Sequence, residues 1–211
     1  MKAIHFSKKS SYGLIVGAIL LCSCLPLAFL PSKAHAAPES HTWYAQVGAE
    51  FDQSMIQGMK YLPGEFWINQ GDSIVWKAKS AEPHTITFLK KGQSAPVFNI
   101  QDPLHATKQS NNNYDGQSYY NSGLLSNAPL LHLPTDYTLH FTTIGDFTYT
   151  CLLHPSMIGI IHVRPSGSLY PFSQKNYDQQ IARGEKVVKS DGDKLAKEAK
   201  EHANTHTVIA G

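Results

Sequence analysis

Three side chains in the second half of this sequence carry donor atoms that bind soft metals. Cys151, His154 and Met157 stand in Tyr149-Thr150-Cys151-Leu152-Leu153-His154-Pro155-Ser156-Met157, so a thiolate, an imidazole and a thioether fall within seven residues. Sulfur donors select soft cations, imidazole suits copper as well, and Cys with His and a weak axial Met is a copper ligand pattern. In a chain with 11 His and 4 Met among 211 residues, His at +3 and Met at +6 from a given Cys coincide by chance about once in a thousand. The plainer account is a small buried hydrophobe beside an unrelated turn histidine, since free cysteine is commonly just packed away. Zinc fits less well, because a structural zinc site takes four Cys or His donors and has no use for a thioether. A copper site still lacks one nitrogen donor, which must come from elsewhere in the chain.

The flanking sequence shows how such a site is held. Phe147, Tyr149 and Cys151 alternate with Asp146, Thr148 and Thr150, which is strand periodicity with the cysteine on the inward face at the strand's end. Ile158-Gly159-Ile160-Ile161-His162-Val163 reads as a second strand, so the three donors lie on a short connection fixed at both ends. Further upstream, Thr42–Val47, Met59–Ile68 with a Pro63-Gly64 turn signal, and Ser73–Lys77 after the Gly71-Asp72 turn all read as short strands. After Glu82-Pro83, His84, Ile86 and Phe88 share one face of another strand. A lone histidine there is usually a packed core residue, but His84 is also placed to supply the missing nitrogen. Many short strands between turn signals predict an antiparallel sandwich or small barrel.

The first residues are not part of that fold. Lys2, Lys8 and Lys9, then an apolar run over Leu14 to Leu30, then Ala34-His35-Ala36 before Ala37, form an export signal with its cleavage site over residues 1–36. Left uncleaved, the same run would be a membrane tether. Cleavage removes Lys2, Lys8, Lys9 and Lys33, which turns a formal net charge of +2 into −2 and leaves 175 residues. No basic patch for nucleic acid survives. Cys22 and Cys24 leave as well, so Cys151 is the single mature cysteine. It can form no intramolecular disulfide, and in an oxidising compartment it needs burial or a metal.

Two segments lie outside the strand pattern. Residues 92–135, rich in Asn, Gln, Ser and Gly, predict a long irregular insertion, either functional or a plain surface loop. Its His105 and His132 are expected to be hydrogen-bonded or solvated rather than metal-bound, as are His140 and His162 on strands. From 171 to 211 the composition becomes helical: Tyr177, Ile181, Val188, Leu195 and Ala199 share a face, Gly184 and Gly192 divide it into two expected pieces, and Asp191 or Asp193 could cap the second. His206-Thr207-Val208-Ile209-Ala210-Gly211 faintly echoes His41-Thr42-Trp43-Tyr44-Ala45, as though the tail or linker led to a second copy of the strand domain.

Taken together, Asn69-Gln70-Gly71-Asp72-Ser73-Ile74-Val75-Trp76, Pro83-His84-Thr85 and Gly145 through Gly159 resemble the cupredoxins. The nearest resemblance is to the plastocyanin, pseudoazurin and amicyanin group, the latter two sharing the C-x2-H-x2-M spacing. The resemblance covers about residues 41–165. It implies an all-β, cupredoxin-like Greek-key β-sandwich over 37–170, with the long inserted loop and the helical C-terminal tail as additions. It also implies one type 1 copper ion held by His84, Cys151, His154 and Met157. Two departures stand out: Thr85 replaces the Asn that usually follows the first ligand histidine, and His84 lies 67 residues before Cys151.

The expected function is a non-enzymatic electron carrier working outside the cytoplasm, in the periplasm, in secreted form or on the outer membrane face. Redox partner proteins would dock near His154, whose ring edge is expected to emerge among Leu152, Leu153, Pro155 and Met157. The alternative is a non-redox copper module, a carrier, store or accessory domain. A catalytic copper pocket built by the insertion is a third reading. No His-x-His pair for a multicopper cluster, no phosphate loop and no paired catalytic carboxylates appear in the sequence.

Overall fold

Alternating apolar residues bury one face of a pleated strand and leave the other to water. In Ser73–Ala78 this places Ile74, Trp76 and Ala78 inward, and in Asp136–Phe141 it places Tyr137, Leu139 and Phe141 inward. A computed structural model of the protein describes residues 39–208 apart from Ser54, with side chains described as far as His202. The export signal expected over residues 1–36 lies outside the described residues.

Ten strands form: β1 (Thr42–Phe51), β2 (Ile56–Leu62), β3 (Glu65–Asn69), β4 (Ser73–Ala78), β5 (Thr87–Phe88), β6 (Asn113–Tyr114), β7 (Tyr120–Asn121), β8 (Asp136–Phe141), β9 (Gly145–Thr150) and β10 (Ile158–Arg164). They make two five-stranded sheets, in the orders β2-β1-β4-β8-β6 and β3-β10-β9-β5-β7. Of the expected antiparallel sandwich or small barrel, the sandwich is found, but its sheets are mixed. β1 runs parallel to β4, β3 to β10 and β6 to β8. Turn signals report only which strands follow one another, whereas parallel partners are joined by long crossovers that leave no local mark.

Between the sheets lies one aromatic core. Trp76, fully buried, donates its indole N–H to the Tyr149 hydroxyl (3.3 Å), and Tyr149 stacks on Phe88 with ring centroids 5.3 Å apart. The insertion joins this core rather than decorating the surface. Its β6 and β7 extend one sheet each, and its Tyr114, Tyr120 and Leu125 are buried. A short helix, α1 (Pro103–Ala106), is tied to it by the Asn121 side-chain amide, which donates to the carbonyls of Leu104 (2.8 Å) and His105 (3.0 Å).

The tail forms a single helix, α2 (Gln174–Val208), where two pieces were expected. Glycine disfavours a free helix, but here it permits close packing. A Cβ at Gly184 would lie 2.5 Å from Leu62 Cδ2, and one at Gly192 would lie 2.4 Å from Ile56 Cγ2. Tertiary packing outweighs propensity, as it commonly does for helices. Tyr177 anchors the first turns: its hydroxyl donates to the Trp67 carbonyl (3.1 Å) and accepts from the Trp67 N–H (2.9 Å). Val188 is buried, while Leu195 and Ala199 on the expected face are exposed. Asp193 caps nothing; it pairs with Lys189 at 3.0 Å within the helix. The stretch echoing the first strand is helical as far as Val208, and its last three residues lie outside the described residues.

Gly159 tests the core. A Cβ there would fall 2.2 Å from Cζ of the buried Tyr149. Gly159→Ala should therefore destabilise by about 3 kcal/mol through overpacking, read as a lower urea midpoint with an unchanged slope. Gly64→Ala, whose new Cβ would meet nothing closer than 3.8 Å, should stay near the parent.

Candidate metal centre

Cys151 is the first residue past the end of β9, and the loop from Cys151 to Met157 closes on itself. The Cys151 N–H donates to the Met157 carbonyl (3.0 Å), and the Met157 N–H donates to the His154 carbonyl (2.8 Å). β9 and β10, paired antiparallel from Thr150↔Ile158 onward, hold both ends of the loop. His84 approaches on a separate segment. Its N–H donates to the Leu125 carbonyl (2.9 Å) and its carbonyl accepts from the Leu125 N–H (2.8 Å), so the insertion supplies the backbone partner of this histidine.

These elements bring three of the four expected ligand residues together. The Nδ1 atoms of His84 and His154 are 3.2 Å apart, and the Cys151 Sγ lies 4.0 Å from the first and 3.5 Å from the second. A triangle of those sides has its centre about 2.1 Å from each corner, a distance that falls among first-row metal bonds to nitrogen and sulfur. Met157, expected as the fourth, is buried at the far end of the same loop, its main chain closing the turn. His84 and Cys151 are also buried, and His154 is partly exposed. Burial first, and then the neighbouring His154, push the His84 imidazole down from 6.5 to about 4. Its ring is therefore neutral at ordinary pH, with a lone pair to give. A cysteine sulfur and two imidazoles gathered beside the core are a donor set for copper.

Thr85, at the departure from the family pattern, joins the His84 segment to the Cys151 loop. Its N–H donates to the Cys151 sulfur (3.3 Å), and its hydroxyl accepts from the Leu152 N–H (2.9 Å). The same hydroxyl shares a hydrogen bond with Thr87 (3.0 Å), which donates on to Asn121 Oδ1 (3.2 Å) in the insertion. The two ligand-bearing segments are thus tied by a hydroxyl in place of an amide.

Sequence reasoning missed the groups behind the histidines. The Ser80 hydroxyl donates to the Glu82 carbonyl (3.1 Å), which leaves its lone pair for the His84 Nε2–H at 3.0 Å. That contact fixes the tautomer with Nδ1 free, a common device around metal-binding histidines. Gly48, at φ +70°, makes room: a Cβ there would sit 2.1 Å from the Ser80 oxygen and 2.7 Å from His84 Nε2. Glu82 Oε1 lies 3.3 Å from the outer nitrogen of His154. The residues just before His84 read only as a turn, and polar side chains there were the available signal. The apolar rim expected around His154 is smaller than foreseen, since Leu152 and Met157 are buried and Glu82 stands at the ring edge.

The four other histidines weighed in the sequence lie elsewhere. His105 accepts from the Asn99 N–H (3.0 Å), and His140 shares a hydrogen bond with Ser73 (3.3 Å). His162 lies between Asp146 (2.6 Å) and Glu65 (2.8 Å) and stacks on Trp67. His132 closes a short turn in the left-handed region. Among the described residues, His84, Cys151 and His154 form the one group of three or more His, Cys, Asp or Glu whose ligand atoms converge within 4.8 Å.

Two mixed sheets around one core, with a cysteine and two histidines converging beside it, define a cupredoxin β-sandwich. Residues 49–164 match the copper binding proteins of the plastocyanin/azurin family, and the chain belongs to that family. Copper is accordingly its cofactor. Among solved structures, the chain is similar to the reduced Cu(I) form of an amicyanin variant at pH 4, with 21% identity over 62% of this chain and 88% of that one, at a TM-score of 0.37. It is similar also to the oxidized state of another amicyanin variant (20% identity, 64% and 95% coverage, TM-score 0.39) and to amicyanin from Paracoccus versutus (20%, 62% and 87%, 0.36). No curated protein matches the chain.

The hydroxyl tie can be weighed directly. Thr85→Val keeps the shape but leaves the buried Leu152 N–H without its acceptor, which should cost the metal-free protein about 2 kcal/mol. Thr148→Val, on the exposed side of β9, should be near neutral in the same unfolding measurement.

Proposed function

We propose that this chain is an exported single-electron carrier whose type 1 copper is held by His84, Cys151 and His154, with Met157 as the weak axial donor. The observation that carries this reading is the triangle of two Nδ1 atoms and one thiol sulfur with sides of 3.2, 3.5 and 4.0 Å, buried at the edge of a hydrogen-bonded sandwich. Copper bound there supplies a one-electron couple.

The protein's own part is positional. Cys151 is fixed by its own N–H, by the Thr85 N–H at its sulfur and by the strand it ends. His84 is fixed by Leu125 and Ser80, and the Cys151–Met157 loop by its internal hydrogen bonds. Ligands held this firmly keep one arrangement in both oxidation states, so little has to reorganise when an electron arrives. His154, the ligand that reaches the surface, gives partner proteins a short route in. Pro155 beside it is exposed and Leu153 half-buried, a small apolar rim for brief docking.

The basic, then apolar, then Ala34-His35-Ala36 start of the chain supports export. Among the described residues no helix is long and apolar enough to cross a membrane. A copper store or delivery module favours exposed, exchangeable donors, whereas three of the four proposed here are buried. The same burial argues against a catalytic copper site, because it leaves a substrate little access.

Loaded with Cu(II), the protein should absorb intensely in the visible from thiolate-to-copper charge transfer, and Cys151→Ser should abolish the band. A colourless Cu(II) adduct would overturn the type 1 reading. Met157→Leu should keep the band and raise the reduction potential, because a donor favouring Cu(II) is lost. Loss of copper in that variant would make Met157 a principal ligand. Exchange of Cu(I) with a chelator should be slow beside reoxidation by a small acceptor; the reverse order would favour copper handling.

A further inference from the structure

Resting on the assignment of His154 as a copper ligand, we propose that Glu82 is a positioning residue of the copper centre. Its carboxylate holds the outer nitrogen of His154 and lowers the reduction potential. The His154 ring turns Nδ1 toward the Cys151 sulfur (3.5 Å) and toward His84 Nδ1 (3.2 Å), which leaves Nε2 as the outward N–H. Glu82 Oε1 stands 3.3 Å from that nitrogen.

Glu82 is held on a fixed turn rather than on a wandering surface segment. The Ala81 N–H donates to Glu50 Oε2 (2.5 Å), and the Ala81 carbonyl accepts from the Ser126 hydroxyl (2.7 Å). The Asn127 N–H donates to the Ser80 carbonyl (3.0 Å), and the Ser80 hydroxyl to the Glu82 carbonyl (3.1 Å). The one turn therefore backs both histidines: Ser80 behind His84, and Glu82 behind His154. The insertion and β1 fasten it from two sides.

Two consequences follow from charge. A carboxylate accepting from the far side of an imidazole makes the ring a stronger donor. A negative charge one ring away from the metal also favours the more positive oxidation state, and hence Cu(II). The Glu82 side chain is about two-fifths exposed, at 38%, so salt should screen part of the effect.

The test uses the copper-loaded full chain with Glu82→Gln, which keeps an acceptor and removes the charge, and Glu82→Ala, which removes both. At low ionic strength Glu82→Gln should shift the Cu(II):Cu(I) equilibrium about tenfold toward Cu(I), a rise of about 59 mV for one electron. The visible band should stay in place, and the shift should shrink as salt is added. Glu82→Ala should raise the potential at least as far and also disturb the visible band, because the His154 ring is released. If Glu82→Gln stays within about twofold of the parent equilibrium while the parent is intensely coloured, the role of Glu82 falls and the ligand assignment stands. If His154→Ala keeps the parent's band, the assignment falls and takes this inference with it.

Discussion

The Thr85 hydroxyl accepts from the Leu152 N–H while the Thr85 N–H points at the Cys151 sulfur. Those two short contacts join segments that lie 66 and 67 residues apart in the chain. They add to the pairing of β5 with β9, where Thr87 lies opposite Thr150, and carry the join up to the residue beside His84 and the residue after Cys151. With them, a histidine from one segment and a cysteine sulfur from another are held 4.0 Å apart. The sandwich serves this register: β9 and β10 fix the loop, β9 and β7 flank β5, the strand that follows His84, and the aromatic core lies beneath. A core packed to crystal-like density transmits such constraints instead of absorbing them.

The insertion takes part in the same constraint. Leu125 completes the backbone pairing of His84, Asn121 ends the Thr85–Thr87 hydroxyl chain, and Ser126 with Asn127 holds the turn behind the histidines. A stretch that reads as polar, glycine-rich and irregular thus supplies structure to three sides of the site. Its isolated Tyr114, Tyr120 and Leu125 are the anchors that keep it there.

What was legible in the sequence followed from local pattern. The alternation through β4, β8 and β9 marks inward faces, and the spacing from Cys151 to Met157 lies within a single loop that no tertiary context has to assemble. His84 was legible only by combining its strand position with the need for another nitrogen. The features that escaped are those in which distant residues decide. Parallel pairing of β1 with β4 depends on crossovers, Gly184 and Gly192 look like helix breakers until Leu62 and Ile56 are brought against them, and Ser80 and Glu82 gain meaning only once both imidazoles lie beside their turn. Thr85 appeared as a departure from the family pattern, yet its hydroxyl and its N–H reach the same loop.

The separation of His84 from its partners bears on how the molecule comes together. In the unfolded chain only the Cys151–Met157 segment has a cysteine sulfur and an imidazole close in sequence, a pair that many soft cations could take. The other imidazole arrives only after a closure spanning 67 residues, and it arrives together with Leu125, Thr85 and the sheet between them. Contacts of such long sequence separation form late, because the entropy of closing the loop comes before the reward. On the ligand set proposed above, discrimination among metals is a property of the finished fold and not of the short peptide that carries the sulfur.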